Sequence, residues 1–270
     1  MLPVIAMPKV RVNDIQIYYE VHGDGFPLIM IMGLGGNIDW WDPRMIRELS
    51  KRFKTVTFGN RGAGRTDVSD RKYSIRLFAD DTAGLMDAWG ISRAHVLGIS
   101  MGGMIAQELV LNYPKKVEKL VLCSTTCGGT TSVPPSEDVM GILMADGSTL
   151  SQKEVAKMTI PLILTEDFAK KNPDLVELMM QQMLKAPISN EAFMRQLNAI
   201  MEFDTHDRLP QIRAPTLVLH GKQDILVPPG NCSILAEAIP NAKHVYLGKS
   251  AHGLVEEMNE VINTLTDFLG

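Results

Sequence analysis

Two kinds of hydrophobic pattern follow one another at the start of the chain. Residues 9–21, KVRVNDIQIYYEV, alternate apolar and polar positions on either side of Asn13 and Asp14. This alternation predicts an antiparallel hairpin with a two-residue turn. Residues 27–33, PLIMIMG, are instead a continuous apolar run that ends at a glycine. Such a run is typical of a strand buried on both faces of a parallel sheet.

Apolar strands and helical patterns then alternate along most of the chain. Further strands are predicted at KTVTFGN (54–60), AHVLGIS (94–100), VEKLVLCST (117–125), PTLVLHG (215–221) and KHVYLG (243–248). Helical patterns lie at 42–52, at 74–89, after Ser100 as far as LNYP (111–114), at 229–239 and at 254–269. This order predicts an α/β fold with a mostly parallel, eight-stranded sheet that is covered by helices on both faces.

Residues 129–207 interrupt this rhythm. They begin with the loop GGTTSVPPSED and continue with mainly helical patterns, and they contain no clear strand of the main sheet. We therefore expect a helical cap at 129–207, inserted into a core formed by 1–128 and 208–270. Eight of the seventeen methionines fall in the cap. Helical spacing makes a small cap core the first interpretation of these methionines, and some of them are expected to face an apolar pocket.

Composition narrows the possible functions. The 270 residues carry a formal net charge of −4, with basic and acidic residues spread along the chain. Neither nucleic acid nor an anionic membrane surface is an expected partner. Three cysteines, Cys123, Cys127 and Cys232, have no spacing typical of a metal site, so we expect buried, reduced thiols and no metal.

The N-terminal sequence MLPVIAMPKVRV lacks the basic segment and the long apolar run of a signal peptide, and it contains two prolines. No later apolar run approaches the length of a membrane span. The expectation from the sequence is a cytoplasmic protein with no membrane partner. Its oligomeric state, monomer or homodimer, is left open.

The most informative short motif is GISMG at residues 98–102, within HVLGISMGGMIAQEL. It has the form G-x-S-x-G and lies between a predicted strand and a predicted helix, which is the context that gives this pattern its meaning. A serine at the tip of so tight a turn has a strained backbone, and a Cβ at Gly98 or Gly102 would clash. The turn is expected to point the Ser100 hydroxyl over the carboxyl end of the sheet.

A serine nucleophile needs a base, and the base needs a group that orients it. The six candidate histidines are His22, His95, His206, His220, His244 and His252. His252 follows the last predicted strand, so its loop opens at the same sheet edge as Ser100. His22 ends the hairpin strand, whereas His95 and His244 lie at the starts of strands and are expected to be structural. His206 has no distinctive setting, and His220 ends a strand directly before the loop that carries Asp224.

Asp224 is the favoured acid. Its loop, GKQDILVPP, follows a predicted strand, and the other usual position for the acid, the loop after KLVLC, contains no carboxylate between residues 124 and 136. The chain order Ser100, Asp224, His252 is the order expected for a serine–acid–histidine triad on a parallel sheet.

A glycine-rich turn, MGLGG at 32–36, directly follows the strand at 27–33. It fits neither G-x-G-x-x-G nor a G-K-[ST] phosphate loop. We interpret it as half of an oxyanion hole, in which Gly33 and Gly35 let the backbone pass close to a carbonyl under attack. The backbone N–H groups of Leu34 and Met101 are the expected donors. Trp40 and Trp41 are candidates to wall the pocket, although plain packing explains them equally well.

These motifs together resemble the α/β-hydrolase fold superfamily over nearly the whole chain outside the cap. The resemblance is carried by MGLGG, NRGAGRTD, GISMGG, HGKQD and SAHG, and it is strongest to small bacterial carboxylesterases and 3-oxoadipate enol-lactonase-like members. The chain departs from the family pattern at Met32, where histidine is common, and at Asn60, where aspartate is usual. We expect the first departure to affect the oxyanion loop and the second to have little catalytic effect.

The resemblance and the triad imply a cofactor-free serine hydrolase that cleaves carboxylic esters of small, largely apolar substrates through an acyl-enzyme. A lactonase, a carbon–carbon bond hydrolase and a cofactor-free perhydrolase would use the same triad. Haloalkane dehalogenases and epoxide hydrolases are disfavoured, because an aspartate is expected there in place of Ser100. From another class, a small-molecule receptor or signalling protein on the same fold stays open.

Overall fold

A computed structural model describes residues 9–145 and 149–270. The first eight residues of the predicted core and residues 146–148 of the predicted cap therefore lie outside the described residues. The strands are β1 (Lys9–Val12), β2 (Ile15–His22), β3 (Phe26–Ile31), β4 (Phe53–Phe58), β5 (Ala94–Ile99), β6 (Val117–Cys123), β7 (Thr216–Gly221) and β8 (Lys243–Leu247).

All eight strands form one sheet in the order β1-β2-β4-β3-β5-β6-β7-β8. β1 and β2 are the predicted hairpin, with Asn13 in the left-handed region at φ 53°. β2 also pairs antiparallel with β4, and every later pair is parallel. The predicted α/β class and the mostly parallel eight-stranded sheet are confirmed.

The five helices of the core begin and end close to the predicted bounds, except at the start of the last one, whereas no individual bounds were predicted for the helices between β6 and β7. They are α1 (Pro43–Leu49), α2 (Ile75–Ala88), α3 (Met101–Asn112), α4 (Glu137–Met144), α5 (Gln152–Ile163), α6 (Glu166–Lys171), α7 (Pro173–Lys185), α8 (Asn190–Met201), α9 (Gly230–Ala238) and α10 (Met258–Leu269). α10 begins four residues later than the helical pattern predicts. Leu254 has φ 58°, and Val255–Glu257 form a 3-10 turn before α10.

The continuous apolar sequences of the central strands are explained by burial on both faces of the sheet. In β3, Ile29 and Ile31 pack into a core with α2, α3 and α9, whereas Leu28 and Met30 pack into a second core with α1 and α10. Successive side chains of a strand point to opposite faces, so a sheet covered on both sides needs apolar residues at both. No helix within residues 9–145 and 149–270 combines the length and apolar character required to cross a bilayer.

The sheet topology brings the glycine loop and Ser100 together. β3 lies between β4 and β5, so the chain leaves β3 in one direction along the sheet and later returns to its other side. Ile31 pairs with Gly98 at the carboxyl ends of β3 and β5. In open α/β sheets, ligands bind outside the carboxyl ends of the strands at such a switch point.

Five helices of the described chain, α4–α8, lie between β6 and β7, within the stretch 129–207 that we call the inserted segment. The expectation that most of its methionines form a small core is wrong. Met180 and Met183 are buried, but Met144 and Met201 are each 58% exposed. Three of the eight, Met158, Met179 and Met183, line a cavity over Ser100. A flexible thioether fits such a lining as well as a core.

Candidate active site

Ser100 occupies the junction between β5 and α3 in a strained conformation, with φ 57° and ψ −124°. Its backbone is held by the end of β6. Ser100 N–H donates to the Cys123 carbonyl over 2.9 Å, and Thr125 Oγ1 donates to the Ser100 carbonyl over 2.7 Å. Non-glycine residues adopt such backbone angles only where their surroundings enforce them, and these positions cluster at functional sites.

The glycines on either side of Ser100 permit close backbone contacts. A Cβ on Gly98 would lie 2.1 Å from the Gly102 carbonyl oxygen, so the turn can close on itself only with glycine at 98. A Cβ on Gly102 would lie 2.0 Å from the Ile31 carbonyl oxygen, at the end of β3. Gly98 therefore sets the tightness of the turn, whereas Gly102 lets α3 start directly against the neighbouring strand.

Asp224 and His252 form a buried pair. His252 Nδ1 lies 2.8 Å from Asp224 Oδ2, and the other carboxylate oxygen accepts from the backbone N–H groups of Leu226 at 2.9 Å and Val227 at 2.8 Å. Burial raises the pKa of Asp224, but His252 and His220 more than offset this and lower that pKa to about 2. An ionised Asp224 favours a proton on Nδ1 of His252 and leaves Nε2 free to act as a base.

His252 and Ser100 line the same cavity, as the order of their loops predicts. Within the described chain, Ser100 Oγ forms no hydrogen bond, whereas the hydrogen bond between His252 and Asp224 is already formed. The loop of His252 is also tied to the inserted segment, because Gly253 N–H donates to the Ile163 carbonyl over 2.9 Å.

The glycine loop after β3 passes directly against Ser100. A Cβ on Gly33 would lie 3.0 Å from Ser100 Cβ and 3.5 Å from its Oγ. Leu34 follows in this loop, and Met101 is the first residue of α3. Neither backbone N–H donates to an acceptor within residues 9–145 and 149–270. Both predicted donors are therefore available beside Ser100, and the start of α3 adds the positive end of its dipole.

Two buried side chains that the sequence did not single out for this role anchor the glycine loop. Gln196 of α8 accepts from Gly35 N–H at 2.9 Å and donates to the Arg61 carbonyl at 3.0 Å. Asn60 donates to the Met32 carbonyl at 2.8 Å, directly before Gly33. The departure at Asn60 thus bears on the loop itself, and not only on a remote structural turn. A polar residue on the buried face of α8 was the one signal that could have indicated Gln196.

The cavity has a volume of about 660 Å³ and a mainly apolar lining. Trp40 and Trp41 are in its wall, which is one of the two alternatives that the sequence left open for them. Among the described residues, its acidic and basic side chains apart from His252 are Asp42 and Arg44, which pair with each other at 2.6 Å. The volume is in the range of small-molecule sites. An uncharged, apolar ligand suits a lining whose two opposite charges already neutralise each other.

The predicted thiols are buried. Burial raises the pKa of Cys123 to about 12 and that of Cys232 to about 11, so both stay protonated at neutral pH. Among the described residues, no group of three or more His, Cys, Asp or Glu side chains is arranged to hold a metal ion.

Comparison with known proteins agrees with this architecture. The family model for the alpha/beta hydrolase fold matches residues 27–257, and the chain belongs to this family. It is therefore a hydrolase of the α/β-hydrolase class.

Particular relatives differ in the substrates that their names give. A protein of Azorhizobium caulinodans with the provisional name carbamate hydrolase RutD is 30% identical over 261 residues, which is 96% of either chain. The enol-lactonase of Burkholderia xenovorans LB400 superposes with a TM-score of 0.87 at 26% identity, covering 97% of this chain and 99% of the other. A thermophilic esterase of Thermogutta terrifontis superposes with a TM-score of 0.83 at 25% identity and covers 97% of each chain.

Proposed function

We propose that the protein is a serine hydrolase of the carboxylesterase type that cleaves uncharged, largely apolar esters, cyclic esters included, through an acyl-enzyme. The observation that carries this proposal is the strained Ser100 turn at a cavity that is also lined by His252, whose Nδ1 lies 2.8 Å from the buried Asp224 carboxylate. The inserted segment would act as the cap that shapes the cavity.

In this mechanism, Ser100 Oγ attacks the ester carbonyl carbon while His252 Nε2 takes its proton. Asp224 holds the imidazole through Nδ1 and stabilises its charged form. The same proton then passes to the leaving alcohol. Water, activated by His252, attacks the acyl-enzyme and frees the acid.

The backbone N–H groups of Leu34 and Met101 would stabilise the oxyanion of the tetrahedral intermediate. Removal of one donor of this kind typically lowers kcat by about 10²–10³-fold. Asn60 and Gln196 support this function indirectly, because their hydrogen bonds hold the loop on either side of Leu34.

The apolar lining favours an aliphatic acyl or alcohol portion, and the Asp42–Arg44 pair leaves no unpaired cation in the cavity wall of the described chain for a substrate carboxylate. The names of the relatives include a carbamate, a lactone and an ester. All three present a carbonyl carbon that the same machinery can attack, so the choice between them depends on the rest of the substrate.

The test is a panel of nitrophenyl esters from acetate to laurate, with several lactones and a neutral carbamate, on wild type, Ser100→Ala and Ser132→Ala. Ser132 lies outside the cavity and is the matched control. We expect kcat/KM to rise with acyl length to an optimum, and Ser100→Ala to lower it by about 10⁴-fold or more. Rates that are equal across the panel and insensitive to Ser100→Ala would refute the proposal. Ligand-induced stabilisation without turnover would instead support a receptor.

A further inference from the structure

A second histidine lies against the acid of the proposed triad. His220 belongs to β7 and is completely buried. Its Nε2 is 3.3 Å from Asp224 Oδ2 and 2.8 Å from the Val227 carbonyl oxygen. Its Nδ1 is also buried and has no hydrogen-bond partner within the described chain. The His220 imidazole takes no part in the proposed proton transfers between Ser100, His252 and the substrate.

The contacts define which nitrogen of His220 carries the proton. A carbonyl oxygen only accepts, so the 2.8 Å contact with Val227 requires a proton on Nε2. A second proton on Nδ1 would leave a charged donor buried without an acceptor, which is costly. The geometry therefore places a proton on Nε2 of His220, and this N–H faces both the Val227 carbonyl and Asp224 Oδ2.

This N–H closes a small network around the carboxylate. Asp224 Oδ1 accepts from the Val227 N–H, and the carbonyl of the same residue accepts from His220. Asp224 Oδ2 faces His220 on one side and His252 on the other, and these are the titratable groups that interact with it. Rotation of the carboxylate would break contacts at both oxygens.

We propose that His220 is a positioning residue that holds Asp224 Oδ2 toward Nδ1 of His252. It touches neither the cavity nor a substrate, and it acts only through the acid. The inference rests on the proposed function, since it assigns Asp224 and His252 to the acid–base pair. It adds a fourth residue to the proposed Ser100–His252–Asp224 arrangement.

The test compares two substitutions at position 220. His220→Gln places an amide N–H near the original Nε2 and preserves a donor, whereas His220→Leu fills similar volume without one. We expect His220→Leu to lower kcat by about 10-fold or more with KM changed little, because only the base is misplaced. His220→Gln should recover most of this loss. If His220→Leu does not fold, His220→Asn, whose shorter side chain does not reach Val227, replaces it.

Proton NMR of the protein without substrate distinguishes the positioning role of His220 from a purely structural one. The His252 Nδ1–H resonance, far downfield because of its bond to Asp224, should be present in wild type and His220→Gln, and shifted or broadened in the variant without a donor. Asp224→Asn identifies the resonance.

The outcomes distinguish the two proposals. An unchanged resonance and unchanged kcat in the variants without a donor overturn the role of His220, as does an equal loss in His220→Gln. Full activity of Ser100→Ala would instead overturn the proposed function, and the NMR comparison would still report whether His220 holds Asp224.

Discussion

Gly98→Ala is the substitution whose effect follows most directly from the geometry of the nucleophile turn. The new Cβ would lie 2.1 Å from the Gly102 carbonyl oxygen, 2.4 Å from its carbonyl carbon and 2.7 Å from Gly103 N. All three are backbone atoms, so no side-chain rotation relieves the overlap. Ordinary Cβ contacts begin at 3.4 Å. β5 and the start of α3 must therefore separate by about 1 Å, and Ser100 lies between them.

This displacement gives the expected magnitude. A shift of about 1 Å in a reacting group commonly lowers the rate by about 10²-fold. It also moves the Met101 N–H away from the oxyanion, so we expect a combined loss in kcat/KM of about 10²–10⁴-fold. The overlap should lower the free energy of unfolding by about 1–3 kcal/mol, the usual range for an overpacked core.

The assay is steady-state hydrolysis of the best nitrophenyl ester, with urea unfolding of the same samples. Gly248→Ala and Gly141→Ala are matched controls, because a Cβ at either position meets nothing within 4 Å. Both controls should keep wild-type kcat/KM. If Gly98→Ala retains more than about a third of the wild-type kcat/KM while it stays folded, the steric account of the turn is wrong.

Three further predictions concern residues outside the triad. Gln196→Ala should lower kcat by about 10-fold with little change in KM, since the Gly35 N–H loses its acceptor; a fall in KM alone in initial-rate assays would contradict this. Arg61→Met should lower the free energy of unfolding in urea by about 3–5 kcal/mol, because it leaves Asp81 buried without its 2.8 Å partner; an effect below about 1 kcal/mol would refute this. Burial lowers the pKa of His95 from 6.5 to about 4. As the pH falls, the unfolded chain therefore binds a proton at this histidine before the folded protein does. Wild type should lose about 3 kcal/mol of stability between pH 6.5 and pH 4. His95→Leu should abolish this part of the loss in urea titrations at both pH values, and an identical pH dependence in the two proteins would exclude His95 as its source.

Much of the fold was predictable because local and global preferences agree. The continuous apolar runs of the central strands reflect burial on both faces of the sheet. The alternation in the hairpin reflects strands with one face more buried than the other. The Ser100 turn was predictable for a steric reason, since only glycine at 98 allows the approach of the Gly102 carbonyl. The placement of Asp224 and His252 in loops at the same sheet edge as Ser100 was predictable from the rule that parallel strands open their loops at one edge.

Contacts between distant segments could not be predicted in the same way. The bond between Gln196 and Gly35 joins residues separated by 161 positions, and the polar position on the buried face of α8 does not indicate which distant group it binds. The bond from Asn60 to the Met32 carbonyl likewise depends on how two loops meet. The helical pattern of α10 was extended too far toward the N-terminus, because periodicity does not reveal the left-handed backbone at Leu254.

The same limit applies to the network behind the proposed triad. The sequence shows only that His220 ends a strand directly before the loop that carries Asp224. Its protonated nitrogen and its contact with Asp224 Oδ2 depend on how the turn at Val227 is placed. The lining of the cavity also arises from several helices of the inserted segment together with the core. The ion pair between Asp42 and Arg44 in this lining can be recognised only from the positions of both side chains.

The central claim, that Ser100 is a nucleophile activated by His252 and Asp224, is tested most directly by covalent labelling with a serine-directed organophosphate. Trypsin releases residues 94–115, in which Ser100 is the only serine and threonine is absent. Tandem mass spectrometry should locate one adduct at Ser100 in wild type, formed in step with loss of esterase activity. Labelling should be far slower in His252→Gln and Asp224→Asn. Inactivation without an adduct on Ser100, or equal labelling rates in all three proteins, would contradict the account.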